Sequence, residues 1–106
     1  MAGIIAGNVA GITIIQQTLT PAQVNTITAP AQTFTVPGLR VGDAVLVNPP
    51  SQTAGAAICN SYVSAADTLS IQFVNPTGGN VTPAAGVHRI TVFRHEGDAG
   101  VGRVIT

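Results

Sequence analysis

Turn-forming residues interrupt this 106-residue chain about every ten positions, and none of the intervening segments has apolar residues at helical spacing over three turns. Pro37-Gly38, Asn48-Pro49-Pro50 and the run 75–80 each follow an apolar stretch. Proline cannot donate to a strand ladder, and glycine and asparagine supply the backbone angles of tight turns. This regular spacing of turn residues predicts an all-β chain with almost no helix.

The segments between the turns have the alternating or short apolar patterns of β-strands. The predicted strands are 33–36, 44–48, 56–64, 68–74 and 87–94, with weaker candidates at 11–17 and 24–28. The clearest is 68–74, where Leu69, Ile71 and Phe73 share one face. Seven or eight short strands of this kind predict an antiparallel β-sandwich or barrel.

Alternation also assigns side chains to faces in two other segments. In 87–94 it places Ile90 and Val92 inward and Arg89 and Thr91 outward. In 56–64 it predicts two faces, made of Ile58, Asn60, Tyr62 and Ser64 on one side and Ala57, Cys59, Ser61 and Val63 on the other.

The composition excludes several classes of function. Hydrophobic residues make up 45% of the chain and charged residues 8%, with a formal net charge of zero. Four arginines balanced by four acids cannot form the basic surface that nucleic-acid binding needs. A neutral, apolar chain also has little electrostatic repulsion against association, which suggests that part of its surface is covered in the working state.

The two ends differ from the middle of the chain. We predict an extended amino-terminal arm (1–10), a β-sandwich domain (11–95) and a polar carboxy-terminal tail (96–106). The arm has no basic start and is interrupted by glycines, so we expect neither a secretory signal nor a membrane span, and synthesis in the cytoplasm. Its apolar residues could dock on a partner; an ordinary first strand of the sheet is the alternative interpretation.

No pattern in the sequence indicates catalysis, a cofactor or a metal site, and we expect a protein that is not an enzyme. His88 and His95 are seven positions apart, which puts them on opposite faces of a regular strand. Cys59 lies in mid-strand and is interpreted as a small buried thiol. Asp43 and Asp67 lie in turns, where carboxylates usually cap backbone N–H groups.

The residues expected to contact partners are apolar side chains near the amino terminus and three arginines. Arginine favours bidentate contacts with carboxylates at protein interfaces, although scattered solubilising charges explain these residues equally well. The predicted interface residues are Ile4, Ile5, Val9, Ile12, Arg40, Arg89 and Arg94.

Two runs, 32–50 and 62–75, followed by Val81-Thr82-Pro83, resemble the small β-rich decoration or cement proteins of tailed-bacteriophage capsids. The resemblance covers about residues 32–94. It implies a jelly-roll-like sandwich without enzymatic activity or cofactors, located on the outer surface of the virion. The implied partners are the major capsid protein and other copies of the chain, with a homotrimer favoured over a dimer. Similar patterns occur in phage fibre and appendage domains, so binding of host-surface glycans is the alternative function.

Overall fold

The computed structural model describes residues 9–95, which form six β-strands. In chain order these are β1 (Val9–Leu19), β2 (Ala31–Thr35), β3 (Ala44–Asn48), β4 (Ala57–Ala65), β5 (Thr68–Val74) and β6 (Gly86–His95). No helix occurs in this part of the chain, and every strand pair is antiparallel. The prediction of an all-β, antiparallel fold is confirmed.

The strands form two three-stranded sheets. The first sheet has the order β1-β6-β3 and the second has the order β2-β5-β4. The first and last strands are therefore neighbours, and only β4 and β5 are joined as a hairpin. The described strands number six rather than the predicted seven or eight, because 24–28 forms no strand and makes only two isolated bridges, Val24 to Val81 and Thr28 to Asn75.

One hydrophobic core is shared by both sheets. The second sheet contributes Leu69, Ile71 and Phe73 at 0%, 0% and 2% exposure, and the first contributes Ile90 and Val92. The predicted inward faces of β5 and β6 are thus confirmed. Aliphatic side chains make up most of this core, and within residues 9–95 Phe73 is the one aromatic residue among its fully buried members. The remaining buried apolar residues are Leu19, Val24, Val36, Leu39 and Val63.

The predicted faces of β4 are wrong because two irregularities interrupt its register with β5. One lies between Ile58 and Asn60, and the other between Val63 and Ala65. Ile58 pairs with Phe73 and Val63 with Leu69, so both β4 residues lie on the core side despite their opposite parity. A β-bulge adds one residue to a strand and so exchanges the faces of the residues beyond it.

The β4–β5 turn is tied to the loop between β2 and β3. Asp67 takes a left-handed backbone conformation (φ 57°), which aspartate tolerates better than most residues. Its carboxylate Oδ1 accepts a hydrogen bond from the Gly38 amide at 2.8 Å, and its own amide donates to the Leu39 carbonyl at 2.9 Å. The predicted capping role of Asp67 is confirmed.

Asn75 organises the opposite end of the fold. Its side chain is completely buried and its Nδ2 donates to the carbonyls of Val24 and Gly79, at 3.0 and 2.8 Å. Its Oδ1 accepts from the Thr77 amide at 2.9 Å and from the Thr77 hydroxyl at 2.6 Å. One side chain therefore joins the loop after β5 to the segment before β2.

Candidate interaction surface

The outer face of the first sheet carries a continuous group of apolar side chains. Phe93 on the central strand lies between Ile12 on β1 and Ala44 on β3, according to the strand register. In the next row Thr91 lies between Ile14 and Leu46. Cross-strand neighbours on one face are about 5 Å apart, so these side chains form one surface. We call Ile12, Ile14, Ala44, Leu46, Thr91 and Phe93 the apolar outer surface.

The large side chains of this surface are well exposed. Ile12, Ile14 and Leu46 are 53%, 59% and 58% exposed, and Phe93 is 39% exposed. Together these four side chains present roughly 400 Å² of exposed area, within the range of the largest patches found on monomeric proteins. Patches of that size are often functional.

The outer face of the second sheet is different in character. Its register places Ser70 between Thr33 and Tyr62, and Gln72 between Ala31 and Asn60. A solvated antiparallel sheet normally has such a polar outer face. Both sheets pack against the same core with their inner faces. Packing of the core therefore does not explain why the outer face of the first sheet is apolar and that of the second is not.

The structure places one predicted interface residue, Ile12, directly on the apolar outer surface. Arg89 lies on the same face one row away, between Gln16 and Asn48. Val9 belongs to β1, where it is paired with His95. Ile4, Ile5 and most of the predicted arm lie outside the described residues, as does the predicted tail 96–106. Sequence reasoning missed Ile14, Leu46 and Phe93, which complete the surface.

Arg94 has a partner within the chain that the sequence analysis did not identify. Its Nε and Nη2 bind the two carboxylate oxygens of Asp43, at 3.0 and 2.7 Å, and Nη2 also donates to the Gly38 carbonyl at 2.7 Å. The Asp43 side chain is only 3% exposed. It also accepts a hydrogen bond from the Arg40 amide at 2.9 Å, which confirms its predicted capping role. Arg40 itself is exposed in the loop before β3.

This arrangement is electrostatically favourable for the ionised carboxylate. The hydrogen bonds from the Arg94 guanidinium lower the pKa of Asp43 below its ordinary value, and the Arg40 amide acts in the same direction against the opposing effect of burial. The pKa of Arg94 is raised by the same contact with Asp43. The ion pair therefore fastens the β2–β3 loop to β6.

The remaining reactive side chains do not converge on one site. His88 is buried and its Nδ1 lies 2.9 Å from the Gly86 carbonyl, while His95 is exposed, which confirms that the two histidines face opposite ways. Cys59 is exposed at the first β4 irregularity, so its interpretation as a buried thiol is wrong. Within residues 9–95, no group of three histidine, cysteine or acidic side chains is placed to hold a metal ion.

A groove of about 500 Å³ lies between the first half of β1 and the Pro37-Gly38 turn. The charged group that lines it is Arg94, whose guanidinium already binds Asp43 and Gly38. Its other lining residues are small or apolar. The groove thus lacks the convergent polar groups that orient a small ligand.

Comparison with protein-family models, curated proteins and solved structures finds no match for this chain. The described part of the chain contains no helix long and apolar enough to cross a membrane.

Proposed function

We propose that this chain is a structural protein that binds the outside of a tailed-bacteriophage capsid and cements it. In this proposal the two sheets form a jelly-roll-like sandwich, and the protein works by contact rather than by chemistry. Each bound copy bridges neighbouring subunits of the major capsid protein and adds contacts that internal pressure must break. A capsid repeats one binding surface many times, so a modest contact gains from multivalency.

The apolar outer surface is the observation that carries the proposal. Leu46 and Ile14 are more than half exposed on a face where, among residues 9–95, Arg89 is the one charged residue. Burying such a surface against a protein partner releases about 25 cal/mol per Å² of apolar area. Leucine and isoleucine side chains also lose only about 0.5–1 kcal/mol of conformational entropy when they are buried. The surface is therefore suited to binding another protein.

Glycan binding has less support. Sugar sites need aromatic side chains grouped over a groove, and the two exposed aromatic residues of the described chain are Tyr62 and Phe93. Tyr62 lies on the outer face of the second sheet and Phe93 on that of the first. They cannot stack on the same sugar.

The experiment is co-sedimentation of the purified full chain with emptied capsids assembled from the major capsid protein of the same genome. Leu46→Lys places a charge in the apolar outer surface, and Tyr62→Lys is its matched control. The two residues are similarly exposed, at 58% and 53%, but lie on different sheets. We expect the wild type and Tyr62→Lys to pellet with capsids and Leu46→Lys to stay in the supernatant.

Two results would contradict the proposal. A wild-type protein that never pellets with these capsids is not their decoration protein. Equal binding by Leu46→Lys and the wild type would show that the apolar outer surface is not the contact.

A further inference from the structure

The two sheets end in four edge strands, which are β1 and β3 in the first sheet and β2 and β4 in the second. An edge strand presents a row of unpaired backbone N–H and C=O groups that can pair with another chain. Natural proteins block such pairing with short strands, prolines, charges or bulges.

Three of the four edges have such protective features. β3 spans five residues and is followed by Pro49 and Pro50. β2 is equally short and lies between Pro30 and Pro37. β4 has register irregularities near both of its ends.

β1 has none of these devices over most of its length. It spans eleven residues with the sequence VAGITIIQQTL, which contains neither a proline nor a charge. Its single irregularity lies between Val9 and Gly11, and from Gly11 to Leu19 its pairing with β6 is continuous. Among residues 9–95, no strand pairs with its other side. The outward side chains Ile12 and Ile14 are apolar and are 53% and 59% exposed next to this edge.

We propose that the β1 edges of two copies pair antiparallel about a two-fold axis, so that the chain forms a homodimer with one six-stranded sheet. With the outer faces of both sheets on the same side, pairing of β1 with β3 of another copy would instead be parallel, because β1 and β3 run in the same direction on either side of β6. That arrangement would use the short, proline-ended edge. Self-pairing of β1 uses the long unprotected strand from both copies, and antiparallel ladders are slightly more stable per residue.

The side chains select one register. Two-fold pairing preserves the faces of the sheet only if paired residue numbers have the same parity. An axis at Thr13 places Ile12 of each copy opposite Ile14 of the other, so both exposed isoleucines gain an apolar cross-strand partner. Moving the axis to Ile14 would pair the two Ile14 residues but place each Ile12 opposite Gln16, and moving it to Ile12 would place each Ile14 opposite Ala10. We therefore assign the axis to Thr13.

Such a dimer has a consequence for the binding surface. The two apolar outer surfaces become neighbours on one face of the six-stranded sheet, which doubles the apolar area available to a partner. This proposal takes the dimer, whereas the sequence analysis favoured a homotrimer over a dimer. It concerns self-association alone and goes beyond the proposed function, because β1 pairing requires no capsid.

The test is a disulfide at the axis. In a Cys59→Ser background, which removes the one native cysteine, Thr13→Cys places two thiols directly opposite each other. Directly opposed Cα atoms in an antiparallel pair are about 4.5–5.5 Å apart, within disulfide range. Gln17→Cys is the matched control, because it is on the same face of the same strand but lies about 27 Å from its copy in this register.

We expect the full chain to have twice its 10.6 kDa mass by light scattering, with oxidation cross-linking Thr13→Cys and not Gln17→Cys. A dimer that cross-links at neither position, or only at Gln17→Cys, would refute the β1 pairing. A trimer would refute it as well. A monomer would refute it too, and would indicate that another part of the chain covers the β1 edge.

A second pair of variants separates self-association from capsid binding. Ile14→Lys should raise the dimer dissociation constant by about tenfold or more, because it removes both apolar cross-strand pairs. Leu46→Lys, with nearly the same exposure on the far edge of the sheet, should leave the dimer unchanged. Equal effects of the two substitutions on the dimer would overturn the β1 pairing. Loss of capsid binding by Leu46→Lys with the dimer intact would leave both proposals standing.

Discussion

Replacement of Asn75 by alanine should remove a large part of the stability of the fold. The side chain makes four hydrogen bonds in a fully buried position, two as donor to Val24 and Gly79 and two as acceptor from Thr77. A buried hydrogen bond contributes about 1 kcal/mol, and an unsatisfied buried partner costs about 1–3 kcal/mol. We therefore expect a loss of about 3–5 kcal/mol, against a total of about 5–15 kcal/mol for a domain.

Asn75→Asp tests the same hydrogen-bond network by introducing a negative charge into it. The aspartate keeps an acceptor for Thr77 but replaces the Nδ2 donor with an oxygen that faces the carbonyls of Val24 and Gly79. Burying a carboxylate against two carbonyl oxygens is unfavourable, so the loss should equal or exceed that of Asn75→Ala at pH 7. It should become smaller at acidic pH, where the carboxyl is protonated and can donate.

The assay is urea unfolding followed by far-ultraviolet circular dichroism. Asn80→Ala is the matched control, because Asn80 is exposed and its side-chain oxygen accepts one hydrogen bond, from the Thr26 amide at 3.0 Å. Its loss should be within about 1 kcal/mol. If Asn75→Ala and Asn80→Ala lower the free energy of unfolding equally, the buried network does not hold the two loops together.

Two further predictions concern titratable groups. The lowered pKa of Asp43 stabilises the fold above the ordinary aspartate pKa, about 3.8–3.9, and this contribution is lost as the pH falls through the folded-state pKa. Urea unfolding between about pH 6 and pH 2 should therefore show a smaller acid loss in Asp43→Asn than in the wild type, and equal losses would contradict the role of the Arg94 contact. Cys59 should react with a thiol reagent in the native protein, because its side chain is exposed at the β4 irregularity. A thiol that reacts only after denaturation would contradict that placement.

Alternation predicted the faces of β5 and β6 because neither strand has an extra residue of its own, the irregularities of their pairs being on β4 and β1. It failed in β4 because a bulge depends on the partner strand, and nothing in the run around Cys59 marks the extra residue. Segment 24–28 has strand-forming residues, yet Ile27 takes a left-handed backbone conformation (φ 52°) and the segment makes only two bridges. The hydrogen bonds of Asn75 hold that segment from a distance of 51 residues, which no local pattern can indicate.

The pairing of β1 with β6 could not be predicted from the sequence for the same reason. Neither the contact between the first and last strands nor the ion pair of Asp43 with Arg94, 51 residues apart, leaves a local signal. The apolar outer surface, in contrast, did leave a local signal in the sequence. Ile14-Ile15, Val45-Leu46-Val47 and Val92-Phe93 are apolar at adjacent positions, which is typical of strands covered on both faces. Interpreted as strands covered on both faces, these runs would have indicated Ile14, Leu46 and Phe93 as residues of an interaction surface.

The apolar residues divide into those that the fold requires for its core and those that it does not require. The core needs only the inward half of each strand, such as Ile90 and Val92 on β6, and the polar outer face of the second sheet shows that the outward half can be hydrophilic. Leu46 or Ile14 could therefore be polar at little cost to the monomer, since each is more than half exposed. Their apolar character is stabilising only when something covers them. In the proposed assemblies, the low charge and high hydrophobicity of this chain serve contacts with other molecules as well as its own core.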